Sequence, residues 1–259
     1  MTKTLGFIGT GTITEAMVRG LKASPLADWP VLLSPRNAET ARRLAAELPG
    51  VQVASSNQAV AAGADILILA VRPQVAETVL APLRARAGQE VISLVAGLDR
   101  SRIAAWMGCD PARVCRAVPL PFVAQCRDAT PVFPPVPQAL ALFAALGRAI
   151  PVQSQQEFDL LAALSALMGS YFGLVGTAVH WAEGQGLHAP AARAYLGQLF
   201  ANLGRVLQDS PDDPTALRQH HSTPGGLNEQ VWRDFTRDGG DRALTQALDA
   251  VLHRIQGRS

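Results

Sequence analysis

The stretch TLGFIGTGTITEAMVRGL, residues 4–21, sets an apolar run (Leu5, Phe7, Ile8) against Gly9-Thr10-Gly11, and then against apolar residues at helical spacing, Ile13, Met17 and Leu21. Few folds contain a strand that must become a helix through two glycines. The first glycine permits a tight turn and the second lets another group approach the backbone, an arrangement that belongs to open α/β sheets. The rest of the N-terminal half agrees. Strand-like runs at 4–8, 31–34, 51–54, 66–71, 91–95 and 114–117 alternate with helix-like runs such as Ala38 to Leu48 and Val75 to Leu83. Alternation of this kind predicts a parallel sheet covered by helices on both faces. The fold class expected is α/β, a Rossmann-type doubly wound sheet.

After Pro131 the texture changes. A proline cluster leads into a helix, and β-type alternation is absent from Gln155 onward. Long apolar segments at 157–183, 189–207 and 241–255 predict an all-helical C-terminal half, so the expected division is 1–153 and 154–259. A helix that is apolar nearly all round must be covered on all sides, and three helices alone cannot do this. The expectation is an interface with a second copy, a homodimer or higher homo-oligomer.

Composition bounds the alternatives. With 48% apolar and 17% charged residues the chain is not disordered, and no uninterrupted apolar run approaches the roughly 18 residues of a membrane span, so no membrane partner is expected. A net charge of +2, without a Lys/Arg block, argues against nucleic acid. Cys109, Cys115 and Cys126 have no metal-ligand spacing, so no metal is expected, and an odd number of thiols with no secretory leader predicts a cytoplasmic protein.

A strand ending in Gly9-Thr10-Gly11 and opening a helix through Thr12 and Ile13 matches the dinucleotide fingerprint, with the diphosphate on the helix N-terminus. Thr14 replaces the usual third Gly or Ala, and its bulk is expected to loosen helix against strand. At the end of the second strand an NAD enzyme carries an acid for the ribose 2′-hydroxyl. None is present. Ser34, Arg36 and Asn37 stand there instead, a hydroxyl, a guanidinium and an amide suited to a 2′-phosphate, which predicts NADP(H). The fourth strand ends at Ala70-Val71-Arg72-Pro73 and the fifth at Ala96-Gly97, both at the ligand-binding edge, with Val71 and Pro73 as walls for a nicotinamide ring.

The pieces GFIGTGTITEAM, SPRN, ADILILAVRPQ, VAGL, RAVPLP and STPGG, in this order along nearly the whole chain, resemble the pyrroline-5-carboxylate reductases, the NADPH-dependent enzymes of the last step of proline synthesis. The resemblance implies an N-terminal Rossmann domain, a helical C-terminal dimerisation domain, and reduction of a small cyclic imine. The substrate carboxylate still needs donors, and the expectation is that backbone N–H groups around Gly225 and Gly226, in the turn that Thr223 opens, supply them at a helix start, with Asn228 or Ser222 adding another. No catalytic side chain is assigned, because a cyclic imine is basic enough to protonate itself and the task is then to orient two bound molecules.

The departures fall on the substrate side. Val118-Pro119-Leu120 replaces a Met-Pro-Asn segment, and Leu227-Asn228 replaces two threonines after the glycine pair. Two further readings stay open: a related NADP-dependent imine or carbonyl reductase with another substrate, and a nucleotide-sensing protein without catalysis.

Overall fold

The structure, a computed structural model, describes residues 2–258. Leu5, Gly6, Phe7 and Ile8 form β1 (Leu5–Ile8), and all four are buried, as a strand covered on both faces requires. It belongs to one sheet with β2 (Val31–Leu33), β3 (Val51–Val53), β4 (Ile66–Leu69), β5 (Glu90–Ser93), β6 (Val114–Ala117), β7 (Asp128–Phe133) and β8 (Gly147–Pro151), ordered β3-β2-β1-β4-β5-β6-β7-β8. Every pairing is parallel except β6 with β7. Helices α1 (Thr12–Lys22), α2 (Ala38–Glu47), α3 (Asn57–Gly63), α4 (Ala76–Leu80), α5 (Arg100–Met107) and α6 (Pro137–Ala145) cover it.

Strand periodicity sorts the core into two layers. Leu5 and Phe7 of β1 meet Met17, Leu21, Leu44 and Phe143 on one face, and Ile8 meets Val60, Leu80, Val91 and Ile103 on the other. The chain leaves β3 at one end of the sheet and re-enters at β4 on the far side of β1, so the strand order reverses between β1 and β4. This is the doubly wound fold the alternation predicts, and the crevice at that switch point is where its ligands bind.

β7 and β8 lie beyond the predicted strands. Pro131 sits inside β7, where a proline ordinarily argues against a strand. Its carbonyl still serves the ladder, accepting from the Val118 N–H at 3.3 Å. Gly147 opens β8 at φ 140°, and a Cβ there would stand 2.3 Å from the Asp128 carbonyl oxygen.

The chain divides into two units, one running through Ala162 and resumed from Leu252, the other Ala163–Val251. The second contains the end of α7 (Gln155–Ser165), then α8 (Leu167–Gly184), α9 (Ala189–Asp209), α10 (Pro214–His220), α11 (Leu227–Arg237) and most of α12 (Gly240–Ile255). α10 and α11 are additional to the predicted segments. The run Gln155–Gly184 is long and apolar enough by composition to cross a membrane, with a mean hydropathy of 1.6. The sequence criterion missed this because acids, serines and glycines interrupt the run without lowering its average. Only 17% of its most apolar window is buried within this chain.

Candidate cofactor cleft and substrate turn

The two glycines of the first turn do different work. Gly9 lies at φ 100°, and a Cβ there would come within 2.4 Å of the Ala70 carbonyl oxygen, so β1 can turn this close to β4 only through glycine. A Cβ on Gly11 would meet nothing within 4 Å. Gly11 is the N-cap of α1, whose first N–H groups have no partner inside the helix and which carries the positive end of its dipole there. Thr14 does not loosen the turn. It is fully buried, and its hydroxyl donates to the Gly9 carbonyl at 2.7 Å, tying the first turn of α1 to the glycine before it.

The β2–α2 loop is strapped to this turn. The Gly9 N–H donates to Ser34 Oγ at 2.9 Å, the Thr10 hydroxyl donates to the Ser34 carbonyl at 2.9 Å, and Asn37 Nδ2 donates to the Thr10 carbonyl at 3.0 Å. Ser34 is fully buried. Its side chain is engaged in holding the turn. Arg36 is exposed, and its guanidinium has no partner among the described residues.

Gly9 to Ile13, Arg36, Asn37, Ala70, Val71, Pro73 and Ala96 line one cleft of about 750 Å³, within the range of small-molecule and cofactor sites. Ser34 and Gly97 are not among its lining residues, although Gly97 directly follows Ala96. Arg72, Val75 and Leu94 also line it. Arg72 was legible as a cation at the C-terminal end of β4, but the sequence does not show which way it faces.

An acid in the first turn of α1 would repel a phosphate if left bare. Glu15 is not bare. Arg43 grips both its oxygens at 2.8 Å and Arg19 adds a third bond at 3.0 Å, and this pairing, led by Arg43, holds its carboxyl below the usual range.

In the second unit Thr223-Pro224-Gly225-Gly226 forms the turn that opens α11, with Gly225 at φ 72°. The donors that the sequence assigns to a carboxylate are engaged here. Gly225 N–H donates to Glu229 Oε2 at 2.6 Å, Gly226 N–H to the Thr223 carbonyl at 2.8 Å, and Asn228 Nδ2 to the His221 carbonyl at 2.6 Å. Glu229 reaches back over the helix start as the acid of a capping box does. The amides of Leu227 and Asn228, in the first turn of α11, remain as donors toward an anion.

A doubly wound sheet with a glycine turn at its switch point, followed by an all-helical half, defines a dinucleotide-dependent oxidoreductase. The family model described as NADP oxidoreductase, coenzyme F420-dependent, matches residues 4–97, and that described as pyrroline-5-carboxylate reductase dimerisation matches residues 155–257. Residues 155–257 are thus a pyrroline-5-carboxylate reductase dimerisation domain. It is 27% identical to the pyrroline-5-carboxylate reductase of Pseudomonas aeruginosa over 98% of this chain and 96% of that one. Its fold is similar to that of the Streptococcus pyogenes enzyme of the same name, with a TM-score of 0.86, 23% identity and 99% of each chain covered. It is also similar to that of the Plasmodium falciparum pyrroline carboxylate reductase solved with NADP bound, with a TM-score of 0.84, 16% identity, and coverage of 99% of this chain and 98% of that one.

Proposed function

We propose that this protein reduces 1-pyrroline-5-carboxylate to proline with NADPH, the closing reaction of proline biosynthesis. The observation that carries the cofactor choice is the end of β2, where no acid stands and the unpaired Arg36 faces the same cleft as the glycine turn. In this reading the amides at the start of α1 and the open face of Gly11 receive the pyrophosphate, Arg36 pairs with the 2′-phosphate, and Val71 and Pro73 wall the nicotinamide end. When bound, NADPH supplies hydride to the imine carbon.

What the chain's own residues do is bind and orient. The free amides of Leu227 and Asn228 at the start of α11 attract the substrate carboxylate, helped by the helix dipole. Thr223, Gly225 and Gly226 shape that turn, and Asn228 braces it through His221. The imine nitrogen accepts its proton from solvent before reduction, so the reaction requires no acidic side chain.

The protein is a homo-oligomer acting on a small molecule. We further propose that a second copy covers the exposed apolar face of α8 and α9, which removes the need for a membrane around Gln155–Gly184. The charge balance supports independence from nucleic acid, and the free thiols Cys109, Cys115 and Cys126 support a cytoplasmic setting. Leu227, 80% exposed where a hydroxyl residue stands in the resemblance, favours a less polar imine as the second reading.

NADPH oxidation followed by absorbance across a panel of cyclic imines tests the assignment. Turnover of pyrroline-5-carboxylate is the expected result. Turnover of carboxylate-free imines alone would replace it with the second reading, and NADPH binding with no turnover would leave a nucleotide sensor.

A further inference from the structure

We infer that Asn37 is a positioning residue for cofactor choice: it ties the loop that carries Arg36 to the glycine turn and so fixes the guanidinium relative to the pyrophosphate cradle. The inference rests on reading Arg36 as the partner of the 2′-phosphate.

Asn37 occupies the N-cap of α2, a position where asparagine ordinarily accepts a hydrogen bond from an amide of its own first turn. Its side chain makes no such bond. It reaches instead to the carbonyl of Thr10, 27 positions earlier in sequence, at 3.0 Å. A good local bond is given up for a distant one, which is the pattern of a residue placed for a site and not for its helix.

Ser34 anchors the other side of the loop through Gly9 and Thr10. Arg36 is therefore held between two straps, both of which end on the turn that would cradle the pyrophosphate. A cofactor with a 2′-phosphate presents two anionic groups a set distance apart. Fixing the arginine's backbone relative to the cradle lowers the ordering cost of a long, flexible side chain when the second anion arrives. NADH, with no 2′-phosphate, gains nothing from this placement.

The test uses Asn37→Ser. Serine caps a helix as well as asparagine does, which protects α2, but it is too short to reach the Thr10 carbonyl. Dissociation constants for NADPH and NADH are measured by titration calorimetry on the parent, Asn37→Ser, Arg36→Ala and the double variant, with thermal unfolding as the control for folding. Asn37→Ser is expected to weaken NADPH about tenfold and NADH less than about twofold, with no fall in melting temperature. On the Arg36→Ala background the same change is expected to cost NADPH less than about twofold, because a residue that acts through Arg36 loses its effect with it.

An equal loss for NADPH and NADH, or the same loss with and without Arg36, overturns the inference and makes Asn37 a brace or an independent contact. An Arg36→Ala variant that keeps the parent's NADPH to NADH ratio removes the reading of Arg36 itself, and the inference with it. That failure is visible in the single variant alone.

Discussion

The Thr14 side chain, fully buried in the first turn of α1, closes the glycine turn from the helix that follows it. Bulk at the third fingerprint position suggests a loosened packing, yet the buried hydroxyl bonds the Gly9 carbonyl and stiffens the turn. Thr14→Val keeps the shape and orphans that carbonyl, so it should cost about 1–2 kcal/mol and lower the melting temperature by a few degrees. An unchanged melting curve would show the bond to be dispensable. Glu90, first in β5, gives a pH prediction. One of its oxygens is buried without a hydrogen-bond partner among the described residues, and burial pushes its pKa up. A raised folded pKa means stability that is fully present below the unfolded value, about 4.3, and lost as pH rises through the folded one. Glu90→Gln should therefore match the parent in urea unfolding below about pH 4 and exceed it at pH 7. A pH-independent difference would contradict this. Residue types at the cleft were legible because each sits at the end of a recognisable strand. The direction of each side chain was not: Ser34 turns to the Gly9 amide, and Arg72 lines the cleft.

Among the elements, the parallel strands were legible because strands buried on both faces read as runs of Val, Ile and Leu. β7 and β8 were hidden by Pro131, Gly147 and Pro151, which read as turn residues in isolation; Gly147 and Pro151 lie at the two ends of the edge strand β8, and Pro131 faces Val118 just past the end of β6. α11 carries its apolar residues Leu227, Val231 and Phe235 at helical spacing, a signal present in the sequence but short and flanked by charges. α7 is fastened to β6 by Arg116, which is buried against the Phe158 ring at 4.5 Å and stands 3.6 Å from Asp159. Burial pushes the pKa of this guanidinium down, with Asp159 the leading opposing charge. Asp159→Ala should leave a buried cation without its counter-charge and cost about 3–5 kcal/mol in urea unfolding. Arg116→Met combined with Asp159→Leu should cost less than Asp159→Ala alone, because no uncompensated charge remains. A double variant as unstable as the sum of the single ones would show that the pair does not act as a unit.

At the scale of the whole molecule, the second unit leaves Phe172 66%, Trp181 68% and Tyr195 69% exposed, beside an apolar cavity of about 760 Å³ between α8 and α9. That such a surface needs a cover was legible from apolarity alone. Phe172→Arg should weaken self-association by about thirtyfold or more in sedimentation equilibrium, as loss of a central apolar anchor does. An association constant equal to the parent's would place the interface elsewhere.

If the cleft around Gly9 and Gly11 holds the NADPH that reduces pyrroline-5-carboxylate, cofactor binding and product formation stand or fall together, and one coupled measurement addresses both. NADPH consumed and proline formed are quantified together in the parent and in Gly11→Val, whose added side chain enters open space and should leave the melting temperature unchanged. The predicted result is one proline for each NADPH oxidised by the parent, and neither NADPH binding nor proline formation by the variant. Proline formation by a folded Gly11→Val protein, or NADPH oxidation by the parent without proline, would contradict the claim.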